Sequence, residues 1–421
     1  MSPFAFRNYR FYWLARLTAM TAGSGMMLII GWQVYNLARL TMSPAEAAAQ
    51  LGLVGLIQFV PLFALTPVTG WVADRLDRRL VARLTLTLQL ACAAILGALT
   101  QADAVSLPAL FAVAALLGVA RAFAGPAFSA LAPNLVPREL LPKAIAISTV
   151  AWQVGMIVGP ALAGFLYAWR PPAAYTLSTI LFAIAVTAIF LITPVPRPAV
   201  DRSRHPIRQM IDGLAYVRTN RLVMAAITLD LFAVFLAGAT ALLPIFARDI
   251  LQVGAEGLGQ LSAAPAVGAA LTALLFSFRP LKQDVGVKML AAVVLFGIAT
   301  IVFGLSRSMP LSLLCLFVIG SADMFSVFVR SSLIQLHTPD AMRGRVGAVS
   351  QLTISASNEL GDAESGFLAA LIGPVAAVVA GGAGAIVITL LWARRYPELR
   401  LAKTFDPPDG EGDLRPRETA A

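Results

Sequence analysis

The feature that most constrains this chain is a series of apolar runs, each about 20 residues long, that recur along its 421 residues between short charged segments. An apolar α-helix of that length crosses the ~30 Å hydrocarbon core of a lipid bilayer. The runs and the residues that break them predict twelve helices, approximately at 11–38, 50–73, 80–100, 106–131, 144–168, 174–193, 222–247, 257–278, 287–305, 309–335, 346–371 and 375–393. We therefore predict an all-α polytopic membrane protein.

The composition excludes an ordinary soluble enzyme. Hydrophobic residues make up 58% of the chain and charged residues 13%, whereas soluble proteins contain about 45–50% and about 25%. The net charge of +10 does not indicate a nucleic-acid partner, because the basic residues lie between apolar runs and not on one face of a domain. The chain has no phosphate-binding glycine loop followed by Lys and Ser or Thr, and no His-Glu-x-x-His segment. We expect no enzymatic activity, no metal and no cofactor.

The charges of the predicted loops indicate the orientation of the helices. Nearly all loop Lys and Arg residues lie on the side that carries both termini, and the other side has only Arg39, Arg170, Arg248 and Arg307. Because basic loops stay in the cytoplasm, both termini are predicted to be cytoplasmic. The predicted units are a six-helix bundle at 1–193, a cytoplasmic linker at 194–221, a second six-helix bundle at 222–393 and a disordered cytoplasmic tail at 394–421.

The two predicted bundles are similar in sequence. A shift of 202 residues aligns 129–168 with 331–370, and eleven of these 40 positions are identical. The matched pairs include Pro137 with Pro339, and Gly159 and Gly164 with their counterparts Gly361 and Gly366. Parallel repeats of this kind are typical of transporters in which the substrate site lies between two pseudo-symmetric halves.

Residues 70–79, Gly-Trp-Val-Ala-Asp-Arg-Leu-Asp-Arg-Arg, connect predicted helices 2 and 3. They resemble the loop signature of the major facilitator superfamily, with Asp77 where the family usually has a second glycine. The resemblance implies a cytoplasmic gate motif in which Asp74 faces the amino end of a helix; its residues are Gly70, Asp74, Arg75, Arg78 and Arg79. The alternative is a basic loop that only sets topology.

Predicted helix 5 contains Gly155, Gly159, Pro160 and Gly164. This pattern resembles the antiporter signature of drug-exporting members of the same superfamily. Small residues at these spacings let helix backbones approach closely, and the proline permits a bend. Ordinary close packing of helices is the alternative explanation.

Charged residues also lie in the middle of predicted helices. Arg121 is about 14 residues into helix 4 and therefore well inside the hydrocarbon, where it needs a charged partner or water. Its candidate partners, near mid-membrane on three other helices, are Asp230, Asp323 and Glu359. We interpret these charges as a site of proton coupling or substrate binding, and a static ion pair is the alternative. Two acids lie further toward the outer side, Asp362 and Glu364, and two arginines near the inner ends are expected to snorkel, Arg16 and Arg330.

Aromatic and amide side chains on several helices are candidates for lining a substrate cavity. They are Trp32, Gln33, Gln58, Trp152, Gln153, Phe232 and Phe235. Contact with lipid or packing between helices is the alternative for each of them.

Four further segments, at 6–11, 52–61, 133–137 and 335–346, resemble the enterobactin-exporter branch of the superfamily, which also contains macrolide and multidrug efflux proteins. The resemblance implies the major facilitator fold, with two pseudo-symmetric six-helix bundles. It also implies proton-driven export of a small amphiphilic molecule, a siderophore or a drug, across the bacterial inner membrane. The expected partners are this substrate, protons and the lipid bilayer, and we expect a monomer. The alternatives are a facilitator or proton symporter that imports a small solute, and a membrane scaffold or sensor that does not transport.

Overall fold

The computed structural model describes residues 2–75, 77–193, 206–279, 281 and 283–405. These residues form helices and turns, with no strand among them. The first six long helices are α1 (Arg7–Thr41), α2 (Pro44–Arg75), α3 (Arg78–Gln101), α4 (Leu107–Leu131), α5 (Leu141–Trp169) and α6 (Pro171–Phe190). The second six are α7 (Arg221–Ile250), α8 (Gly254–Phe278), α9 (Val285–Leu305), α10 (Met309–Leu336), α11 (Asp340–Ile372) and α12 (Pro374–Arg395).

Within the described residues, eleven helices are long and apolar enough to cross a membrane. The remaining long helix is α11, whose 33 residues include Glu359, Asp362 and Glu364 and many other polar side chains. Its length and its packing along α2 and α12 make it part of the same bundle. The prediction of an all-α polytopic membrane protein is confirmed, and each predicted apolar run overlaps one of these helices.

Prolines and capping side chains fix where several helices begin. Pro44, Pro171 and Pro374 are the first residues of α2, α6 and α12, where the missing N–H of proline needs no acceptor. Asn220 caps α7, because its side-chain oxygen accepts a hydrogen bond from the backbone N–H of Val223 at 3.1 Å.

The seventh helix differs from the continuous helix predicted at 222–247. Its α-helical part ends at Leu236, and the chain continues to Ile250 through short 3₁₀, α-helical and π-helical turns. Pro244 lies in this irregular part and cannot donate a backbone hydrogen bond. The break packs on α11, because Gly238 lies directly against the backbone of Gly361.

The helices pack in two sets. In the first set α1 packs on α5 and α6, α2 on α4, and α3 on α4 and α6; in the second, α8 packs on α10, α9 on α10 and α12, and α7 on α11 and α12. The main contacts between the sets join α2 to α11 and α5 to α8. The repeat-related Gly164 and Gly366 lie at these contacts. A β-carbon at Gly164 would lie 2.8 Å from the Cα atom of Gly259, and one at Gly366 would overlap the backbone of Gly52.

These contacts lie at one end of the bundle. We call the end at which α1 begins and α12 ends the terminal end, and the opposite end, where α1 ends and α2 begins, the far end. Gly52, Gly164 and their contacts lie near the far end, where the hydroxyl of Tyr35 in α1 also donates a 2.5 Å hydrogen bond to Asp249 in α7. The two sets of helices are therefore joined at the far end.

The exposure of α5 reveals a space between the sets that opens toward the terminal end. Ile145, Trp152 and Ala163 lie on one face of this helix, since seven and eleven residues are close to whole turns. Ala163, near the far end, is 3% exposed, whereas Ile145 is 50% and Trp152 is 38% exposed. Val158 and Phe165 lie on the opposite face, which is exposed even near the far end and faces the bilayer. The face with Trp152 therefore lines a space that closes toward the far end.

The predicted linker and tail are partly helical. Residues 194–205 and 406–421 lie outside the described residues, but Pro206–Thr219 forms a connecting helix that packs on α11, with Asp212 and Arg345 joined at 3.2 Å. The tail also differs from the predicted disorder up to residue 405. After a short helix at Pro397–Arg400, the carbonyl of Ala402 accepts a 3.0 Å hydrogen bond from the N–H of Gly286 at the start of α9.

Candidate intramembrane charge site

Arg121 of α4 is the centre of the candidate site. Its Nη1 atom lies 2.7 Å from the Oε1 atom of Glu359 in α11 and donates a 3.1 Å hydrogen bond to the Oε1 atom of Gln58 in α2. The side chain of Arg121 is 49% exposed, whereas that of Glu359 is 7% exposed. This ion pair connects the first set of helices to the second.

Two glycines allow the three helices to meet at this pair. A β-carbon at Gly118, one turn before Arg121, would lie 2.7 Å from the carbonyl oxygen of Gln58. A β-carbon at Gly55 would lie 3.1 Å from the carbonyl oxygen of Glu359. Side chains at either position would push α2 away from α4 or α11, so close helix approach is built into the sequence here.

A second carboxylate lies beside the ion pair. Asp362 follows Glu359 by about one turn of α11 and is partly buried against α2, where its Cβ atom faces Gly55. Among the described residues Asp362 has no hydrogen bond or ion pair. The site thus brings together one guanidinium and two carboxylates, and it leaves one carboxylate without a counter-charge.

Asp230 does not pair with Arg121. It forms an ion pair with Arg330 of α10, and both side chains are buried within the second set of helices. The expectation that Arg330 snorkels toward the membrane surface is therefore wrong, because this residue is 2% exposed. Arg16 donates to the hydroxyl of Tyr12 at 3.1 Å and is partly buried.

Asp323 and Glu364 lie apart from the ion pair of Arg121. Asp323, the repeat counterpart of Arg121, is partly buried on α10 and has no ion pair with any described residue. Glu364 lies 3.5 Å from the hydroxyl of Ser365 and is also partly buried. Of the acids predicted near mid-membrane, Glu359 is the one that the structure brings to Arg121.

The glycines of the antiporter-like pattern lie at helix contacts. Gly155 and Gly159 pack against α1, and Gly164 packs against α8. Pro160 lies between them, inside α5, and its carbonyl faces Gly259. Their role in exchange transport stays a prediction.

The gate motif is only partly described. The side chains of Asp74 and Arg75 and the surroundings of Gly70 lie outside what the structure describes, so the proposed contact of Asp74 stays a prediction. Asp77 is the N-cap of α3, where it accepts from the N–H of Arg79 at 2.9 Å and pairs with its guanidinium at 2.7 Å. Arg78 is the first residue of that helix. The Asp in place of the usual glycine thus starts the next helix.

Two of the residues predicted to line a cavity are buried inside the first set of helices, and a third packs against a helix of its own set. Gln33 is 5% exposed and accepts a 2.7 Å hydrogen bond from Tyr175 inside the first set of helices. Trp32 is likewise buried in that core, and Phe232, which is 39% exposed, packs edge-on against Trp392 of α12. Hydrophobic and amide side chains satisfy these packing roles as well as cavity roles, so residue type alone did not separate them.

Three of the other four candidates lie where the two sets of helices meet, and the fourth, Phe235, lies within the second set. Trp152 lines the open space, and Gln58 binds Arg121. Gln153 donates a 2.9 Å hydrogen bond to the carbonyl of Ala266 in α8, across the two sets. The backbone of Phe235 contacts Gly361 of α11, a helix of its own set.

Sequence reasoning missed a polar cluster at the far end. Tyr35, Arg39, Arg248 and Asp249 come together there from α1 and α7. From the sequence, Arg39 and Arg248 are predicted only as loop charges that set topology. The sequence does contain one indication of this cluster, the capping-box pattern Ser43-x-x-Glu46, which marks the start of α2. Because α2 starts there, Arg39 lies in the last turn of α1 and not in a long loop.

Comparison with known proteins identifies the family. A model described as Major Facilitator Superfamily matches residues 12–361. The chain belongs to the major facilitator superfamily and is a multi-pass membrane transporter, not an enzyme.

Its curated relatives include an enterobactin exporter, EntS, of Escherichia coli O1:K1 / APEC, which is 27% identical over 409 residues, 95% of this chain and 94% of that protein. The corresponding protein of Citrobacter koseri is also 27% identical, over 96% of this chain and 95% of its own length.

Solved structures have the same fold at lower identity. A bacterial homologue of the human lysosomal transporter Spinster, inward-facing and occupied, has a TM-score of 0.72 and 15% identity, and the match covers 94% of this chain and 98% of that one. The human organic anion transporter MFSD10 has a TM-score of 0.66 and 17% identity, with 92% and 99% covered.

Proposed function

We propose that this transporter is a proton-coupled exporter of a small amphiphilic molecule in the bacterial inner membrane, with its terminal end in the cytoplasm. The observation that carries the proposal is the ion pair between Arg121 and Glu359, which joins the two sets of helices beside a second carboxylate, Asp362. Similarity to enterobactin exporters along 95% of the chain supports outward transport and a siderophore-like or drug-like substrate.

The unequal charges of the site give it a reason to bind a proton. Arg121 neutralises one carboxylate, and a second ionised carboxylate away from water is costly unless it is paired or protonated. A proton on Glu359 removes the counter-charge of Arg121 and so weakens the link between α4 and α11. Loss of the proton restores the pair. Protonation therefore favours one arrangement of the two sets and deprotonation favours the other.

With the terminal end in the cytoplasm, the described arrangement corresponds to the inward-open state with Glu359 ionised and paired. The substrate enters this space from the cytoplasm. After the two sets of helices rearrange, a proton from outside binds Glu359 and neutralises it. This proton leaves to the cytoplasm when Glu359 pairs with Arg121 again. Downhill proton entry thereby drives outward movement of the substrate.

The walls of the space fit an amphiphile. Trp152 presents an aromatic surface to the space between the two sets of helices. The half-exposed guanidinium of Arg121 supplies a polar group. A cavity that combines apolar walls with few polar groups is typical of sites for drug-sized molecules.

Uptake by inside-out membrane vesicles tests the proposal, with enterobactin and erythromycin as probes and an acidic lumen as the driving force. We expect accumulation of at least one probe, and its loss when an uncoupler removes the gradient. The variant Glu359→Gln should lose accumulation, whereas Glu256→Gln, the same change at an exposed position of α8, should not. Accumulation that is indifferent to the pH gradient would overturn proton coupling. Accumulation only in right-side-out vesicles would overturn export.

A further inference from the structure

A second cavity lies at the far end, separate from the mid-membrane site. It is an open cavity with a volume of about 680 Å³, lined by the last turn of α1, the first turn of α2, the irregular end of α7 and the turn from α11 to α12. Its apolar wall is formed by Pro44, Ile245, Ile250, Ala369 and Pro374. A volume in this range suits a drug-sized ligand.

The charged residues of this cavity are two arginines and one carboxylate. Asp249 accepts the hydrogen bond from Tyr35, lies 3.6 Å from the Nε atom of Arg39 and lies 3.7 Å from the Nε atom of Arg248. The Nε atom of Arg39 is buried and has no hydrogen-bond acceptor among the described residues. The two guanidinium groups also donate to the carbonyls of Met42 at 3.3 Å and Asn36 at 3.4 Å. Because Asp249 is the one carboxylate among the described residues that line the cavity, the lining keeps a net positive charge.

The amino end of α12 adds to this positive potential, whereas that of α2 is capped by Ser43 and Glu46. α2 begins at Pro44 and α12 begins at Pro374, and both residues line the cavity. Gly373, the N-cap of α12, has no side chain that could accept from the first N–H groups of that helix. The nearby acid Glu46 is held in the capping box of α2, where it accepts from the N–H and hydroxyl of Ser43 at 2.8 Å. Helix amino ends favour anions.

We propose that this cavity is a binding site for a small amphiphilic carboxylate. The carboxylate of the ligand lies between Arg39, Arg248 and the amino end of α12, where it accepts the donors that Asp249 leaves free. The apolar part of the ligand packs on Ile245, Ile250 and their neighbours. Binding requires neither transport nor a proton gradient, so it is independent of the proposed export function.

The proposal predicts opposite effects for the charged residues. Removal of either arginine takes away a charge-assisted hydrogen bond, so affinity should fall about tenfold. Removal of the charge of Asp249 takes away the carboxylate that competes with the ligand for both guanidinium groups, so affinity should rise. A cluster that serves only to join α1 to α7 has no reason to bind an anion more tightly after that change.

Equilibrium dialysis of 1-naphthoate against the protein in phosphatidylcholine nanodiscs tests this, with the uncharged 1-naphthamide as the matched ligand. We expect saturable binding of naphthoate and not of naphthamide. Arg39→Gln and Arg248→Gln should weaken binding, Asp249→Asn should strengthen it, and Arg39→Lys should retain part of it. Arg170→Gln is the control, because Arg170 lies at the same end outside the cavity and bonds Gln101.

Equal binding of naphthamide, or unchanged affinity in Arg248→Gln and Asp249→Asn, would overturn the site. If Arg39→Gln does not fold, these two variants still decide the outcome because their expected effects have opposite signs. Affinity should also be unchanged in nanodiscs that contain phosphatidylglycerol. Loss of naphthoate binding there would mean that a lipid headgroup occupies the cavity, and it would overturn the assignment to a free carboxylate.

Discussion

Gly164 of α5 and Gly366 of α11 are counterparts in the sequence repeat, and each lies against a glycine of the other set of helices. Gly164 contacts Gly259 of α8, and Gly366 contacts Gly52 of α2. The repeat is therefore visible in three dimensions as two equivalent close contacts that hold the far end together. Because both contacts are between backbones, a side chain at either position separates the two sets of helices there.

A leucine at Gly366 should open the far end. Its side chain would overlap Gly52, and overpacking of this kind costs about 1–3 kcal/mol. Spin labels on Leu40 and Leu371, which are exposed at the far end of α1 and α11, should report a longer distance in Gly366→Leu than in the parent. Gly125→Leu is the control, since a β-carbon at Gly125 meets nothing within 4 Å. An unchanged distance in a folded Gly366→Leu protein contradicts this role.

Glu359→Gln should separate coupling from movement of the substrate. The amide keeps the size of the side chain but fixes a neutral form, so gradient-driven accumulation should disappear while downhill exchange continues in part. Arg121→Ala should impair both, because it leaves Glu359 and Asp362 without a counter-charge. Accumulation and counterflow in proteoliposomes measure the two modes. Retained accumulation by Glu359→Gln would move the coupling role to Asp362, Asp323 or Glu364.

The pair of Asp230 and Arg330 should matter for stability and not for coupling. Loss of one partner of a buried ion pair costs about 3–5 kcal/mol, so Asp230→Asn should lower the free energy of unfolding in detergent by this order. Replacement of both residues, Asp230→Leu with Arg330→Met, should recover most of the loss. Asp212→Asn is the control, because its ion pair with Arg345 is more exposed and worth only about 0–1 kcal/mol. Equal effects of Asp230→Asn and Asp212→Asn would contradict the structural role.

Both termini and the segment between the two sets should be cytoplasmic. Protease sites inserted at the amino end, near Ser203 and after Glu418 should all resist protease added to intact cells, because basic loops are retained inside. A site inserted beside Gln101 and Ala102, between α3 and α4, is the control that should be cut. Cleavage of any of the first three would reverse the orientation assigned to the terminal end.

The order of the helices followed from the sequence because apolar length is a one-dimensional property. The partners of individual side chains did not follow from the sequence. The depth of a residue along its helix does not tell which neighbouring helix its side chain faces. Asp230 and Glu359 were predicted at similar depths, yet one faces Arg330 within its own set and the other faces Arg121 across the two sets. The break in α7 was missed for a related reason, since Gly238 and Pro244 stand in a run that remains apolar throughout.

The contact of the carboxy-terminal segment with α9 has a consequence for how the chain can be shortened. The first N–H groups of α9 have no acceptor inside their own helix, and those of Val285 and Gly286 are satisfied by the carbonyls of Lys403 and Ala402. The residues after α12 thus cap and stabilise the first turn of α9. A chain cut after residue 405 keeps these two hydrogen bonds. A chain cut after Arg395 loses them, so the first turn of α9 can fray.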